Sequence, residues 1–168
     1  MLIYLVRHAI ADYTTTTPYG TMPGPPLTPE GEEQARAAAV LLERSGLERV
    51  VASPMRRCVQ TAAAISALCG LETQFDDDLG EMQAKESAGE MTVRMMRAAL
   101  AQTDASVVAL VSHAAPLENL TLTLTRNEFV LPPKDNRGAH VGVGQVWQLI
   151  LYGGRWHAEY LPVGGVRV

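Results

Sequence analysis

Cysteine is scarce in this sequence, and its two cysteines cannot pair with each other. Cys58 and Cys69 fall eleven positions apart on one predicted helix, which separates them by roughly 16 Å at the usual helical rise. The Cα atoms of a disulfide lie within about 7 Å of each other. A disulfide within the chain is therefore excluded, and we interpret both thiols as small core residues in a reducing compartment.

Long apolar runs are also lacking. No stretch approaches the length that spans a bilayer, and the first predicted strand reaches Arg7 and His8 too early for the apolar region of a secretory signal. These observations predict a cytoplasmic protein without a membrane partner.

An excess of basic charge is lacking as well. The net charge is −4 and the pI is about 5.5, with no basic stripe interleaved with aromatics, so a nucleic-acid partner is not expected. Three consecutive acids at residues 76–78 point in different directions and lack the spacing of metal ligands. We expect neither a metal nor another cofactor.

The elements that are present alternate between strands and helices. Thr28-Pro29 and Ser53-Pro54 each combine an N-cap residue with a proline that opens a helix. Gly153-Gly154 predicts a hairpin turn. The predicted strands are 2–6, 50–52, 107–111, 145–152 and 155–161, and the predicted helices run from 29 to 45, from 54 to 69, from about 90 to 102 and from 116 to about 125.

This alternation is typical of a doubly wound α/β fold. We predict a three-layer α/β/α architecture with a mostly parallel sheet and a C-terminal antiparallel hairpin at its edge. A length of 168 residues with 47% hydrophobic content fits a single domain over residues 1–168. The sequence leaves the oligomeric state open.

Two of the predicted strands end in a histidine. The apolar runs 2–6 and 107–111 lead into Arg7-His8 and Ser112-His113, and both have the pattern of strands buried on both faces. Since the carboxyl ends of parallel strands share one edge of a sheet, we expect these side chains to converge there.

The strand at 50–52 points to the same edge. It ends at Ser53, and the following helix carries Arg56 and Arg57 in its first turn, where cations oppose the helix dipole. Local conflicts of this kind often mark function. Two histidines and at least two arginines suit a phosphoryl dianion, which one imidazole could attack.

Four segments, in order along the chain, resemble the motifs of the histidine phosphatase superfamily (phosphoglycerate mutase-like). They are Arg7-His8-Ala9, residues 27–35 (Leu-Thr-Pro-Glu-Gly-Glu-Glu-Gln-Ala), residues 53–62 (Ser-Pro-Met-Arg-Arg-Cys-Val-Gln-Thr-Ala) and Ser112-His113-Ala114-Ala115. Alanines stand at positions 9, 114 and 115, where the family usually has glycines. The short chain most resembles the small bacterial phosphatases, including the SixA-like phosphohistidine phosphatases.

The resemblance implies a role for each matching residue. His8 would be the nucleophile that forms a phosphohistidine, and Arg7, Arg57 and His113 would bind the phosphate. Glu81, in a Leu-Gly-Glu segment, would be the general acid. Asp12, Asp78 and Glu86 remain alternatives for that acid.

The remaining polar residues are assigned peripheral or structural roles. Arg56 and Thr14 are candidates for the substrate rim. Thr14 lies in the long irregular stretch 9–27, which we expect to form one wall of the pocket. His140 and His157 are interpreted as structural or solvated. Ser112 is expected to support the turn before His113.

The leading functional hypothesis is a metal-independent phosphatase that acts on a phosphomonoester or on a protein phosphohistidine. Its partners would be a phosphorylated small molecule or a phosphoprotein. A phosphoglycerate-mutase-type phosphotransferase is one alternative, and a catalytically silent phospholigand-binding module is another.

Overall fold

A six-stranded sheet forms the middle layer of the protein. The computed structural model describes residues 1–163, so the last residues of the predicted domain, 164–168, lie outside the described residues. The strands are β1 (Leu2–Arg7), β2 (Arg49–Ala52), β3 (Thr73–Phe75), β4 (Val107–Ser112), β5 (Val146–Tyr152) and β6 (Arg155–Leu161). Their spatial order is β3-β2-β4-β1-β5-β6.

The sheet is parallel from β3 to β1, and the terminal hairpin adds two antiparallel strands beside β1. The predicted α/β architecture with an antiparallel C-terminal hairpin is therefore confirmed. β3 was not predicted from the sequence, because Thr73–Phe75 is three residues long and mostly exposed.

Helices cover both faces of the sheet. They are α1 (Pro29–Leu42), α2 (Arg56–Cys69), α3 (Ala88–Leu100) and α4 (Ala114–Leu124), and a 3-10 turn spans Asp77–Leu79. Successive residues of β1 alternate between two apolar clusters. Ile3 and Leu5 pack in the cluster that contains α3 and α4 residues, whereas Tyr4 and Val6 pack in the cluster that contains α1 and α2 residues.

The helix ends differ in part from the sequence-based expectation. α1 begins as expected, with Thr28 accepting a hydrogen bond from the N–H of Gly31, and Gly70 ends α2 in a left-handed conformation. α2 begins at Arg56 after an N-cap at Met55, so the expected capping by Ser53 is wrong. The Ser53 hydroxyl instead lies against a histidine at the sheet edge.

The start of α1 packs tightly against the chain that follows β1. A Cβ at Gly31 would lie 2.2 Å from the carbonyl oxygen of Ile10, so only glycine fits there. Three side chains from the helices hold the same stretch of backbone. Gln34 accepts from the N–H of Ile10, Gln60 from that of Leu27, and Thr61 from that of Ala9. These contacts give a physical reason for the glycine and the glutamine of the segment 27–35, and for the glutamine and the threonine of the segment 53–62.

Across residues 1–163, the helices are too short or too polar to span a bilayer.

Candidate active site

The carboxyl ends of β1, β2 and β4 meet at one edge of the sheet. The backbone N–H of His8 donates to the Ser112 carbonyl across 3.0 Å, and that of Ser53 donates to the Val111 carbonyl across 3.0 Å. This register brings the His8 and His113 rings to a centroid distance of 5.2 Å. Both side chains are fully buried.

The hydrogen bonds of His8 fix its tautomer. Nδ1 lies 2.8 Å from the carbonyl oxygen of Ala9, and since a carbonyl can only accept, Nδ1 carries the proton. Nε2 therefore carries a lone pair, which accepts a hydrogen bond from the Tyr19 hydroxyl across 3.1 Å.

Arg57 lies beside the two imidazoles and is fully buried in the first turn of α2. Its Nη2 donates to Nδ1 of His113 across 3.1 Å, and its Nη1 donates to the Tyr19 carbonyl across 3.1 Å. Nε of Arg57 is buried without an acceptor among residues 1–163. The guanidinium therefore retains a donor that these residues do not satisfy.

His113 is held from both sides. Because Arg57 can only donate, Nδ1 of His113 accepts, and Nε2 carries the proton that it donates to Ser53 Oγ across 3.1 Å. The following residues, Ala114 and Ala115, form the first turn of α4, where alanine is a favourable residue. The usual glycines are not needed for this geometry.

Both histidines are neutral in the folded protein. Burial lowers the pKa of His8 well below its usual value, and the charge of Arg57 lowers it further. Burial also lowers the pKa of His113 well below its usual value, with added contributions from His8 and Arg57. An incoming dianion would oppose these effects and favour protonation of His113.

Arg7 joins the site from the end of β1. Its Nη1 donates to the carbonyl of Val141 and to Oδ2 of Asp135, the latter across 3.3 Å. Although partial burial acts to raise it, the pKa of Asp135 is lowered by the backbone N–H groups of Ala139 and Arg137 and by the charge of Arg7. The loop that follows α4 is thereby tied to the site.

Glu81 places a carboxylate beside His113 and Arg57. Its Oε2 lies 3.5 Å from Nδ1 of His113 and 3.7 Å from Nη2 of Arg57, and its side chain is 23% exposed. Ser112 donates to the Leu79 carbonyl across 2.7 Å, which links the end of β4 to the segment that carries Glu81.

The alternative acids have other partners. Asp78 pairs with Arg97, Glu86 pairs with Arg94, and Asp12 accepts from the hydroxyl and the backbone N–H of Thr14. The geometry therefore favours Glu81 over these three residues.

The weaker candidates lie at the periphery. The side chains of Arg56, Thr14 and His157 are exposed. His140 is partly buried, and its Nδ1 lies 2.6 Å from the Pro132 carbonyl, an arrangement suited to holding a loop.

The sequence reasoning missed Tyr19. Its ring lies over the Arg57 guanidinium at 3.9 Å and stacks on Tyr13 at a centroid distance of 5.2 Å. Burial raises the pKa of Tyr19 above its usual value, so the hydroxyl keeps its proton and donates to Nε2 of His8. A tyrosine in an irregular stretch carries no motif, and the one available signal was the unusual length of that stretch.

Comparison with known proteins identifies the family. The model of the histidine phosphatase superfamily (branch 1) matches residues 3–98. The chain belongs to this superfamily. The match covers β1, the long stretch after it, α1, β2 and α2, and most of α3.

Curated relatives in the superfamily have both mutase and phosphatase names. A probable phosphoglycerate mutase GpmB of Serratia proteamaculans is 34% identical over 80 residues, which are 48% of this chain and 37% of that protein. A putative phosphoserine phosphatase 2 of Hydrogenobacter thermophilus is 33% identical over 96 residues, 57% of this chain and 47% of that protein. The matched region thus spans less than half the length of each.

Solved structures share the fold over almost the whole chain. A mycobacterial glucosyl-3-phosphoglycerate phosphatase with VO3 superposes with a TM-score of 0.75 at 19% identity, covering 97% of this chain and 99% of that chain. An Entamoeba histolytica phosphoserine phosphatase with 3-phosphoglyceric acid gives 0.76 at 15% identity, covering 97% and 98%. At these identities the likeness shows the fold alone.

Proposed function

We propose that the protein is a metal-independent phosphatase that hydrolyses a phosphomonoester or a protein phosphohistidine through a covalent phosphohistidine at Nε2 of His8. The observation that carries the proposal is the His8 tautomer. The Ala9 carbonyl holds the proton on Nδ1, and the lowered pKa keeps the ring neutral. A neutral nitrogen with a free lone pair is the form that can attack phosphorus.

In the first step, Nε2 forms a bond to phosphorus as the bond from phosphorus to the leaving oxygen breaks. Arg7 and Arg57 would donate to the three equatorial oxygens, and His113 would do so once the dianion has favoured its protonation. Glu81, beside Arg57 and His113, gives its proton to the leaving oxygen. The first product departs with that proton.

In the second step, water attacks the phosphohistidine. Glu81, now ionised, takes a proton from the water as the oxygen bonds to phosphorus. The bond between phosphorus and Nε2 breaks, inorganic phosphate is released, and His8 returns to its neutral form. The cycle needs no electron transfer and no metal.

Tyr19 must leave its place for substrate to bind. Its hydroxyl bonds to Nε2 and its ring covers Arg57, so it occupies the groups that would receive the phosphoryl group. The substrate phosphate would replace the hydroxyl at His8, and its negative charge would compensate for the lost contacts with Arg57.

A phosphorylated small molecule is the substrate class we favour, because relatives of the same fold are named for phosphoserine and glucosyl-3-phosphoglycerate. A phosphoprotein substrate, as expected for a SixA-like enzyme, is the second candidate. We also propose a cytoplasmic location, which suits either substrate.

Phosphate release from p-nitrophenyl phosphate in EDTA tests the proposal. We expect turnover by the wild type and by His157→Ala, whose histidine is exposed, and none by His8→Ala. Turnover that requires added metal, or that survives in His8→Ala, would contradict it. Vanadate binding without turnover on any phosphate ester would instead support the silent binding module.

The mutase is favoured by the names of several curated relatives. Transfer of a labelled phosphoryl group separates it from the phosphatase. Label recovered as inorganic phosphate supports hydrolysis, whereas label recovered in a second organic phosphate supports the mutase.

A further inference from the structure

Glu81 lies on a segment without regular secondary structure. The segment runs from the 3-10 turn to α3, and residues 82–85 are exposed. The Glu81 carboxylate accepts a hydrogen bond from the backbone N–H of Met82 across 3.1 Å. Its position beside Arg57 and His113 therefore depends on where the backbone of the segment is held.

Arg94, on α3, holds that backbone. Its Nη1 donates to the carbonyls of Asp78 and Gly80 across 2.6 and 2.8 Å, and its Nη2 donates to the Glu81 carbonyl across 3.2 Å. Nε and Nη2 also donate to the two carboxylate oxygens of Glu86. All five N–H donors of the guanidinium are thus engaged at one time.

The charge of Arg94 is compensated within the segment. The Arg94 and Glu86 side chains are 13% and 11% exposed, so the pair is largely shielded from water. Partial burial of an ion pair is tolerated when its remaining donors are satisfied, and the three carbonyls satisfy those of Arg94. A lysine, with three donors on a single nitrogen, could not make the same set of bonds.

We propose that Arg94 is the positioning residue of the general acid. By binding the carbonyls of Asp78, Gly80 and Glu81, it keeps the Glu81 carboxylate where a proton can pass to the leaving oxygen. The inference rests on the proposed role of Glu81. Because its five donors are occupied by the segment, Arg94 acts on Glu81 through the backbone that it holds.

Arg97 provides a matched control on the same helix. It also contacts the segment, but through the side chain of Asp78 rather than through backbone carbonyls, and its own side chain is 68% exposed. Loss of Arg97 removes a surface ion pair, which contributes little to stability, and leaves the carbonyl contacts of Arg94 in place.

The test is the dependence of kcat/KM on the leaving group. Aryl phosphates from p-nitrophenyl to phenyl phosphate differ in how much they need a proton from the enzyme. In Arg94→Met we expect kcat/KM for phenyl phosphate to fall about 10- to 100-fold, a partial loss of the contribution of about 100- to 10,000-fold that general acid catalysis makes, and that for p-nitrophenyl phosphate to fall about threefold at most. Arg97→Met should keep the wild-type dependence.

Two further variants separate positioning from folding. Arg94→Lys keeps the charge and most of the side-chain length, and it should share the defect of Arg94→Met because it cannot bridge the carbonyls. The double variant Arg94→Met with Glu81→Gln should be no slower on phenyl phosphate than Glu81→Gln alone. The inhibition constant for vanadate should stay at its wild-type value in both Arg94 variants.

The outcomes distinguish the two proposals. If Glu81→Gln lowers kcat/KM equally for both esters, the role of Glu81 is wrong. If Glu81→Gln is selective for phenyl phosphate but neither Arg94 variant is, the positioning role is wrong while the general acid stands. Additive losses in the double variant, or weakened vanadate binding in the Arg94 variants, would also overturn the positioning role.

Discussion

The Tyr19 hydroxyl donates a hydrogen bond to Nε2 of His8 across 3.1 Å. The nitrogen proposed to attack phosphorus is therefore covered by a residue from the long stretch after β1. Tyr19 also places its ring and its carbonyl oxygen against Arg57. An incoming phosphate must displace the hydroxyl to reach His8, and it must displace the ring or the carbonyl to reach the donors of Arg57 that they cover.

Removing that hydroxyl should strengthen anion binding. Tyr19→Phe keeps the ring over Arg57 but loses the bond to His8, which is worth about 0.5 to 1.5 kcal/mol. We expect the inhibition constant for vanadate to fall by about two- to tenfold. Tyr152→Phe, at an exposed position at the end of β5, should leave it unchanged. An unchanged or higher constant in Tyr19→Phe would show that the hydroxyl does not compete with the anion.

Adjacent arginines on α2 should differ sharply in importance. Arg57 is fully buried and contacts His113 and Tyr19, whereas Arg56 is exposed. We expect Arg57→Ala to lower kcat/KM for p-nitrophenyl phosphate about 100-fold or more, as is typical when a donor to the developing charge is lost. Arg56→Ala should lower it by about threefold at most. Equal losses in both variants would argue against a specific role for Arg57 in phosphate binding.

The buried histidines should make the fold sensitive to mild acid. The folded state keeps His8 and His113 neutral because their pKa values are lowered, while the unfolded chain takes up protons below about pH 6.5. The free energy of unfolding should therefore fall as the pH drops through that value toward the folded pKa values. Each histidine contributes about 1.4 kcal/mol per pH unit in this window.

Urea unfolding at about pH 7.5 and about pH 5.5 measures this dependence. His8→Asn should lose one histidine's share of the slope, and His157→Asn, which replaces an exposed histidine, should retain the wild-type slope. The same slope in all three proteins would mean that His8 is not held neutral by the fold.

The glycine in the first turn of α1 should be irreplaceable. Gly31→Ala would place a Cβ 2.2 Å from the Ile10 carbonyl oxygen, so the helix start or the stretch after β1 must shift. We expect a loss of about 1 to 3 kcal/mol in the free energy of unfolding, measured in urea. Gly20→Ala, at a position with open space around it, is the control. Similar stability of the two variants would contradict the packing described here.

Much of the fold could be predicted from the sequence because each buried strand is a continuous apolar run. β1 and β4 follow directly from such runs, and their parallel pairing places His8 beside His113. β3 could not be found in this way. Its three residues are held by backbone pairing with β2 rather than by apolar burial.

Residue roles that depend on tertiary contacts could not be predicted from the sequence. Ser53 has the residue type of an N-cap, but in the structure its hydroxyl accepts from His113. Tyr19 and Arg94 have no motif around them, and their contacts with His8 and with the Glu81 segment depend on how irregular stretches fold back on the chain. Local patterns carry no information about such contacts.

We propose that His8 carries the phosphoryl group between substrate and water. The decisive measurement is to trap the intermediate with an alkaline denaturing quench of enzyme mixed with a labelled phosphate ester, and to map the labelled peptides at alkaline pH. We expect label on the peptide that contains His8, lost when an aliquot is treated with acid, and none in His8→Ala. A turning-over enzyme with label on another residue, or with no trapped label under conditions of rapid turnover, would contradict it.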